Sequence, residues 1–498
     1  MSAEQQRSGE SAVLGGAIQS LLDQAIEQTV GGNTRKDKAE GMVGVFVQSV
    51  MERSRRTGEV VDASYSRIID DEIKRIDELI SRQLNEVMHH AKFQKLEGSW
   101  RGLHYLFGNS NLGENLRLKM LNCREEELRK DFKDLADVQD SHLFQEIHQQ
   151  GYGINGGVPF GALVGDFQFG SSPKDIDLIK KISKVAAMSF APFLTSASPQ
   201  LLDFDSWDQL SRKRRQDLEG TFVPDSYIEW RAFRESEDAR YVTMCLPRTM
   251  ARLPYGNDNP VEKFDYAESP RGVDERGKAY NKEMAHDDFC WMNSAYVLGA
   301  KLTDAFARTG WCTGIRGYKN GGLVEDLPTY VFRSEKGDIR TKCPVEVEMP
   351  DDQEKALSDL GFLPLVYEKN SPRAVFFGGQ TVQKPKRYPT DPKAEESAEL
   401  SARLPYILAV SRIAHVLKIV GRTWIGAEAD RESLEKRMNN WINQFVGNSE
   451  KRPLLAAKVA VEEIEGRPGS FNAVAHVVPK IQLETLTASI RLVARLDK

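Results

Sequence analysis

The 498-residue sequence lacks the motifs that would link it to a particular chemistry. Its five cysteines are scattered and include no C-x-x-C pair, which argues against a disulfide framework and against a zinc ribbon. No G-x-S-x-G, P-loop or H-E-x-x-H motif occurs. The eight histidines include no pair three or four residues apart, the spacing that places two metal ligands on one helix face. We therefore expect no metal site, no cofactor and no enzymatic activity, and a binding or assembly role instead.

Long apolar runs and an excess of one charge are also missing. The longest apolar runs fall far short of the ~20 residues that span a bilayer. The first ten residues, MSAEQQRSGE, do not resemble a secretory signal, so we expect a cytoplasmic protein without direct membrane insertion. The chain has 68 basic and 73 acidic residues, a balance that indicates no nucleic-acid partner. Its length predicts two to four structural units.

One glycine-rich stretch could belong to a nucleotide site. GYGING (residues 151–156) matches G-x-G-x-x-G, and Asp175 and Asp177 follow about 20 residues later. In a dinucleotide-binding unit a strand enters the glycines and a helix leaves them, so that the helix N-terminus faces the phosphates. Here a helix-like stretch precedes the glycines and a strand-like stretch, residues 158–169, follows them. We interpret GYGING as a glycine-rich turn, and a soluble nucleotide-binding enzyme using the Gly151–Gly156 loop is the alternative.

A second stretch, AHDDFCW (residues 285–291), places His286, Asp287 and Asp288 close to Cys290. A cysteine nucleophile would need a base and an orienting group, and nothing local supplies that arrangement. Aspartates are favourable in the first turn of a helix, and the apolar pattern WMNSAYVLGAKL follows at once. We therefore predict the start of a helix here.

Amphipathic patterns do occur, first near the N-terminus. Residues 11–30 and 42–51 each place apolar side chains on one helical face and are separated by the polar stretch 31–38. An isolated amphipathic helix cannot bury its own apolar stripe, so it docks either on the core of its own chain or on another subunit. The predicted docking face comprises Leu14, Ile18, Leu21, Leu22, Phe46 and Val50.

From residue 61 to about 390, helix-like and strand-like patterns alternate, which predicts a mixed α/β body of the α+β class. Predicted helices cover 65–107, 173–194 and 291–310, with Trp100 in the core and Arg101 in a structural ion pair. A long charged stretch near 256–281 predicts an exposed loop. The predicted strands cover 116–123, 239–247, 328–333, 343–349, 363–367 and 374–378.

The C-terminal part, residues 391–498, predicts helices followed by a small β-meander. Helices are expected at 393–424 and 430–446, and strands at 454–463, 471–478 and 486–496. Such a small sheet has bare edges, which either accept a strand from another chain or pair only within their own chain. The last predicted strand places six apolar residues on one face: Leu486, Ala488, Ile490, Leu492, Ala494 and Leu496. We expect three domains in all: an N-terminal arm (1–60), the body (61–390) and this C-terminal part.

Several stretches carry a resemblance to a known family. They are spread in order over most of residues 60–498 and include FQKLEGSWRGLHYL (93–106), PFGALVGDFQF (159–169), LPRTMARLPYG (246–256), GGLVEDLP (321–328), KCPVEVEM (342–349), LGFLPLVYEKN (360–370), FFGGQTVQKPKRY (376–388) and RLPYILAVSRIAHVLK (403–418). In these stretches the chain resembles the large subunit of the phage-tail-like contractile sheath of type VI secretion systems in Gram-negative bacteria, the TssC/VipB family.

The resemblance implies a structural role and a set of partners. A large sheath subunit pairs with a small sheath subunit, and the heterodimers, together with further copies of themselves, form a helical polymer around an inner tube. The polymer assembles on a baseplate and contracts to propel the tube and its effectors toward a target cell. A recycling ATPase then acts mainly through the small subunit. In this family strands from neighbouring protomers complete a C-terminal sheet.

Two residue-level hypotheses follow from combining the resemblance with the patterns. The strand containing Ile490 would join an intersubunit sheet. The helix at 403–420 would face the inner tube, with Arg412, Lys418 and Arg422 meeting tube residues. The alternative for this helix is an ordinary core helix whose cations extend to solvent over apolar neighbours.

Overall fold

The structure, a computed structural model, describes residues 65–154, 156–262, 264–273, 279–427, 431–447, 449, 452–463 and 471–479. The chain divides into two compact units. The smaller comprises residues 1–88 and 255–268, and the larger comprises residues 89–254 and 269–498. Among the described residues, the smaller unit contains one helix and the segment Tyr255–Glu268. The larger unit contains the remaining described elements.

The α-helices lie mostly in the first two thirds of the chain and again before the C-terminal hairpin. In chain order they are α1 (Tyr65–Met88), α2 (Ala91–Gly108), α3 (Glu125–Asp131), α4 (His142–Phe144), α5 (Pro173–Ser189), α6 (Arg215–Glu219), α7 (Ile228–Glu235), α8 (Ser294–Thr309), α9 (Asp351–Asp359), α10 (Pro392–Ser401), α11 (Leu404–Ala427) and α12 (Arg431–Ile442). A π-helical segment, Gln145–Gly153, continues α4. Short 3₁₀ turns occur at Val138–Asp140, Pro199–Leu202, Trp207–Arg212, Asp225–Tyr227, Asp238–Tyr241, His286–Asp288 and Asn443–Phe445.

The β-strands form one larger sheet and four two-stranded ones. In chain order they are β1 (Leu163–Phe169), β2 (Phe193–Ala197), β3 (Val242–Leu246), β4 (Thr249–Met250), β5 (Arg271–Val273), β6 (Ala279–Asn281), β7 (Trp291–Met292), β8 (Leu323–Val324), β9 (Tyr330–Arg333), β10 (Ile339–Lys342), β11 (Phe362–Glu368), β12 (Arg373–Phe376), β13 (Leu454–Glu463) and β14 (Phe471–Pro479). The two-stranded sheets are β4–β7, β5–β6, β9–β10 and β13–β14.

The central sheet has six strands in the order β1-β2-β3-β11-β12-β8. The first four strands run parallel, and β12 and β8 add antiparallel at one side. Every residue of β2 and β3 is buried, as expected for parallel strands covered on both faces. This architecture confirms the prediction of a mixed α+β fold.

Alternation along the central strands divides their side chains between two hydrophobic cores. Phe193 and Met244 pack in the core that includes the apolar side of α5, whereas Leu194 and Cys245 pack in the core that includes α8. Helix α5 begins at a Ser172 cap that accepts a hydrogen bond from the backbone N–H of Asp175 at 3.2 Å. The two helices therefore cover opposite faces of one sheet.

Several predicted elements differ from the structure in their bounds. Helix α5 ends at Ser189 instead of continuing to 194, because Phe190 takes a left-handed conformation with φ 52° and β2 follows. Helix α8 is closed by Gly310 in the left-handed region, as predicted. The predicted helix 393–424 is two helices, and Pro405, which has no N–H to donate, lies in the first turn of the second.

Two predicted strands are absent from the described sheets. Residues 116–123 lack regular secondary structure, and the side chains of Met120 and Leu121 are exposed. The segment 343–349 contributes only one isolated bridge, Thr249 to Val345, and Pro344 provides no ladder donor; the strand β10 lies before it instead. The prediction from alternation was therefore wrong at both places.

The expected exposed loop at 256–281 is only partly exposed. Glu268 and Ser269 are buried, and β5 and β6 form a short hairpin. In the smaller unit, the hydroxyl of Tyr266 lies 2.8 Å from Oδ1 of Asn85 on α1, and Tyr266 is buried as well. Contacts of this kind give the loop a defined conformation near its middle.

None of the helices in the described part of the chain is long and apolar enough to cross a membrane.

Candidate assembly surfaces

The C-terminal part of the described chain is a small module built on the β13–β14 hairpin. The two strands pair antiparallel from Ala456 with Val478 to Glu463 with Phe471, as the alternating pattern predicts. One face of the hairpin packs on the apolar side of α12. The fully buried side chains of this core include Val459, Val461, Leu434, Met438 and Ile442. The predicted meander is confirmed for its first two strands.

The start of β13 differs from the predicted alternation. The pattern places Leu455 on the same face as Val459, but Leu455 is exposed and Leu454 is fully buried. The register shifts between Leu454 and Ala456, which indicates a bulge that exchanges the faces of these residues. The sequence alternation alone could not show this irregularity.

One edge of the hairpin is already occupied by side chains of α12. Asn439 accepts a hydrogen bond from the N–H of Val459 at 2.9 Å and donates one to its C=O at 2.7 Å. Glu435 accepts a hydrogen bond from the N–H of Val461 at 3.0 Å. These side chains take the place of a neighbouring strand along the outer edge of β13.

The outer edge of β14 has no such cover among the described residues. In an antiparallel pair, backbone groups point alternately toward the partner strand and away from it. Because Val459 and Val461 point outward on β13, the residues paired with them in register, Ala475 and Ala473, point outward on β14. With respect to the described residues, the outer edge of β14 is therefore open, and another strand could add there.

The predicted intersubunit strand and the predicted N-terminal docking face lie outside the described residues. The strand residues are Leu486, Ala488, Ile490, Leu492, Ala494 and Leu496, and the docking residues are Leu14, Ile18, Leu21, Leu22, Phe46 and Val50. Both assignments stay predictions.

The predicted tube-facing residues lie on α11. The guanidinium of Arg412 lies 4.8 Å from the ring centre of Phe306 and 5.4 Å from that of Trp311. Both Arg412 and Lys418 are nevertheless exposed. Aromatic rings contact one side of each cation, those of Phe306 and Trp311 at Arg412 and those of Tyr152 and Phe190 at Lys418, and solvent reaches the other side. The side chain of Arg422 lies outside the described part of the chain.

Lys418 belongs to a cluster that the sequence analysis did not predict. Its Nζ lies 4.2 Å from the ring centre of Tyr152 and 2.9 Å from Nε2 of His148. Burial, and then the charge of Lys418, lower the pKa of His148 below its ordinary value. Because His148 and Tyr152 are on the π-helical segment, this cluster fastens α11 to the body. In the sequence, only the four-residue spacing of His148 and Tyr152 indicates that their side chains lie on one helix face.

His415, one turn before Lys418 on α11, is buried in the same region. Its Nε2 lies 3.3 Å from the carbonyl oxygen of Ser189, and its ring faces Tyr152 and Phe190. Burial lowers the pKa of His415 to about 4, and the charges of Arg412 and Lys418 act in the same direction. His415 is therefore neutral at pH 7 and serves as a packed core side chain.

Helix α2 contacts the body through glycines and through a buried ion pair. A Cβ added at Gly98 would lie 2.3 Å from the carbonyl oxygen of Trp291, so only glycine permits this approach. On the same side, Nε of Arg252 lies 2.6 Å from Oε1 of Glu97, and Arg101 pairs with Glu97 at 2.7 Å. Burial would raise the pKa of Glu97, but Arg252 and Arg101 outweigh it and hold that pKa below its usual value. The predicted ion pair of Arg101 is present.

Leu106 is also buried against the body, but most of the large apolar residues of α2 lie on its opposite side. Trp100, expected in the core, is 60% exposed. The exposed residues Phe93, Leu96 and Phe107 lie on the same face as Trp100, with half-buried Leu103 between them. We call Phe93, Leu96, Trp100, Leu103 and Phe107 the α2 stripe. An exposed aromatic stripe of this length is typical of an interaction surface.

The structure places GYGING in the context expected for a turn between a helix and a strand. The π-helical segment ends at Gly153, and β1 follows from Leu163. Gly156 has φ +80°, and a Cβ at Gly151 would lie 2.9 Å from Cα of Pro159. Gly156 therefore permits a positive φ, and Gly151 permits the close approach of Pro159. The strand-to-helix order of a dinucleotide site does not occur here.

The histidine–cysteine stretch is built into the core. Burial raises the pKa of Cys290 to about 12, so its thiol is not a nucleophile at neutral pH. His286 stacks on Trp291 at 4.9 Å, and its Nε2 lies 3.4 Å from Oε1 of buried Glu346. The aspartates do not begin a helix as predicted: they lie in a 3₁₀ turn, and α8 begins at Ser294 under an Asn293 cap. No cluster of His, Cys, Asp and Glu within the described ranges could hold a metal ion.

Comparisons with known proteins agree with an assembly role. Residues 70–383 match the family model described as the EvpB/VC_A0108 tail sheath N-terminal domain. Residues 393–496 match that of the EvpB/VC_A0108 tail sheath gpW/gp25-like domain. The chain is 36% identical over 506 residues to the type VI secretion system sheath protein TssC1 of Pseudomonas aeruginosa, covering 96% of this chain and 99% of that protein. The chain therefore belongs to the EvpB/VC_A0108 (VipB) family of tail sheath proteins.

Proposed function

We propose that this chain is the large subunit of a type VI secretion sheath, a structural protein that polymerises and contracts. The observation that carries the proposal is the pair of sheath-domain matches, which together cover most of the chain. The chain would act in the cytoplasm, where it pairs with a small sheath subunit and polymerises around an inner tube. A baseplate would start assembly, and a recycling ATPase would act mainly through the small subunit.

The proposed organisation has three parts: the N-terminal arm (1–60), the body (61–390) and the C-terminal part (391–498). The interval between the two family matches, residues 384–392, supports a boundary near 390. In this scheme contraction draws its free energy from a difference between two packed states, and not from bond chemistry in this subunit. An interface that does not close into a ring generates the helical polymer.

We further propose that copies are connected by strand addition at the open edge of β14. The capped edge of β13 and the outward backbone groups of Ala473 and Ala475 support this choice of edge. The donated strand would be residues 486–496 of a neighbouring protomer, seated by Ile490, Leu492 and Ala494. Main-chain hydrogen bonds then hold the protomers while their bodies rotate.

The first test is negative-stain electron microscopy of the chain expressed alone and together with the small subunit. We expect long hollow tubes only on co-expression. Dispersed particles in both preparations would contradict the sheath assignment. Ile490→Asp places a charge on the seated face and should abolish tubes, whereas Ser489→Asp, on the opposite face of the predicted strand, should retain them. Normal tubes with Ile490→Asp would remove the strand hypothesis.

The choice of edge has a separate test. Ala475→Pro removes a backbone N–H that points away from β13, so the hairpin should keep its own ladder while strand addition fails. Ala475→Ser retains the N–H and is the matched control. We expect tubes with Ser and none with Pro, with hydrogen exchange of β13 amides confirming a folded hairpin in both. Tubes of normal length with the proline variant would exclude β14 as the acceptor.

A further inference from the structure

The α2 stripe has a geometry that is unusual for a helix of an isolated chain. On one side of α2, Gly98 and Gly102 face the body. A Cβ added at Gly98 would lie 2.3 Å from the carbonyl oxygen of Trp291, and one added at Gly102 would lie 2.3 Å from the ring of Tyr296. The residues of the stripe lie on the other side of the helix, and Trp100 and Phe107 are each 60% exposed. The helix is therefore oriented with its apolar side chains available to another molecule.

The spacing of the stripe specifies the shape of its partner. Phe93, Leu96, Trp100, Leu103 and Phe107 follow one another at alternating steps of three and four residues, the spacing of a helix that packs along another helix. Phe93 and Phe107 are fourteen positions apart, or about 21 Å at 1.5 Å per residue. An amphipathic helix of three to four turns fits this surface.

The charges around the stripe indicate the polarity of that helix. The exposed ionisable side chains of α2 are Lys92, Lys95 and His104, and its single carboxylate, Glu97, is bound by Arg252 and Arg101 on the buried side. A partner with acidic flanks would meet Lys92 and Lys95 without like-charge repulsion. Helix α1 also exposes apolar residues, but it adds exposed carboxylates such as Asp71 and Glu78, which would repel such a partner.

The chain itself contains a segment with these properties. Leu14, Ile18, Leu21 and Ala25 repeat at steps of four, three and four residues. From Leu14 to Ile26 an α-helix would span about 18 Å. The segment carries Asp23 and Glu27, and no lysine or arginine occurs between Arg7 and Arg35. The other amphipathic stretch, residues 42–51, is flanked by clustered basic residues and fits less well.

We propose that the α2 stripe is the docking surface for residues 11–30 of a second copy of this chain. No described residue covers the stripe, and residues 11–30 of a second copy are the occupant in this proposal. The contact links copies independently of the hairpin edge and of the small sheath subunit. It therefore goes beyond the proposed function, and the two can fail separately.

The test uses the full-length chain with a photo-crosslinking phenylalanine at position 100. It is mixed with unmodified, ¹⁵N-labelled full-length chain, irradiated, and digested with trypsin. Residues 8–35 form one tryptic peptide, since no cleavage site lies within them. We expect position 100 to crosslink to the ¹⁵N-labelled peptide 8–35. The same label at exposed Glu229 on α7 is the control and should not reach that peptide.

Substitutions in residues 11–30 and in α2 test whether the contact is made by one helix face and by its acidic flanks. Leu21→Asp should reduce the crosslink at least tenfold, whereas Ser20→Asp, on the opposite side of the helix, should retain it. The pair Lys92→Glu and Lys95→Glu should weaken the crosslink several-fold, and Asp23→Lys with Glu27→Lys should restore it. Because the new lysines would be cut by trypsin, these samples are digested with a protease that cleaves only after arginine, which keeps residues 8–35 in one peptide. All six substitutions lie at exposed or N-terminal positions, so the body should fold normally.

Three outcomes would overturn the proposal: crosslinks only to the unlabelled peptide of the same copy, crosslinks only to the co-expressed small subunit, or no crosslink to residues 8–35. Electron microscopy of the same samples reports tube formation separately. Tubes without the crosslink would reject this contact and leave the sheath function standing. The crosslink without tubes would support the contact and count against the sheath function.

Discussion

At the scale of single residues, burial decides what each ionisable side chain can do. Cys290 has a raised pKa of about 12, and His415 a lowered one of about 4, because in each case burial disfavours the charged form. The same residue types looked like candidate chemistry in the sequence. Once packed, they are a core thiol and a core imidazole, and this explains why the sequence could not assign their roles.

His415 predicts a specific pH dependence of stability. Its pKa is about 4 in the folded chain against an ordinary 6.5, so between these values the unfolded chain binds more protons than the folded one. The contribution is complete above about pH 6.5 and is lost as the pH falls toward 4, up to about 3 kcal/mol. His148, whose pKa is also lowered, acts in the same direction.

The measurement is urea unfolding of the full chain at several pH values between 7.5 and 4.5. His415→Gln should flatten the loss of stability across this range. His476→Gln, which replaces an exposed histidine on β14, should leave the slope as it is. Equal slopes for the His415 variant and the unchanged chain would show that His415 does not control the pH dependence.

At the scale of elements, the small residues of one helix determine which of its faces is exposed. Helix α2 contacts the body through Gly98 and Gly102, and the aromatic residues Phe93, Trp100 and Phe107 consequently face outward. Amphipathic pattern alone predicts the opposite orientation, which is why Trp100 was expected in the core. Similarly, Asn439 on α12 covers the outer edge of β13, so the open edge of the hairpin is β14.

The close approach of α2 can be tested with a methyl group. Gly98→Ala places a Cβ 2.3 Å from the carbonyl oxygen of Trp291, and we expect it to lower the free energy of unfolding by about 1–3 kcal/mol. Gly108→Ala adds the same group at the end of the helix, where no atom lies within 4 Å, and should be neutral or slightly stabilising. Equal urea midpoints for the two variants would contradict this packing.

At the scale of the whole molecule, the chain is a structural subunit of a tail sheath, and its described surfaces suit assembly. Within the described part of the chain these surfaces are the uncovered edge of β14, the α2 stripe and the exposed cations Arg412 and Lys418. The sequence stretches that resembled the sheath family identified this class, and the family matches confirm it.

The contact predicted between the cations of α11 and the inner tube can be tested only in the assembled sheath. Reversing Arg412, Lys418 and Arg422 to glutamate should abolish tube-dependent assembly. Because Arg412 and Lys418 also contact aromatic rings, reversal alone could lower stability. Arg412→Met with Lys418→Met keeps apolar contact and removes the charge, so urea unfolding of this variant reports stability separately. Normal assembly around the tube by the reversed chain would show that α11 is a core helix.

The sequence by itself determined the elements whose signals are local. The first residue of α5, the closure of α8 by Gly310 and the pairing strands β13 and β14 depend on neighbouring residues, so they were predicted close to where they are observed. The family was also readable, since its motifs are short linear stretches. Only the tertiary structure decided what depends on distant contacts: the partner that covers a strand edge, the side of α2 that faces the body, and the burial that neutralises His415. These features arise from residues far apart in the chain, and a linear pattern carries no information about which of them meet.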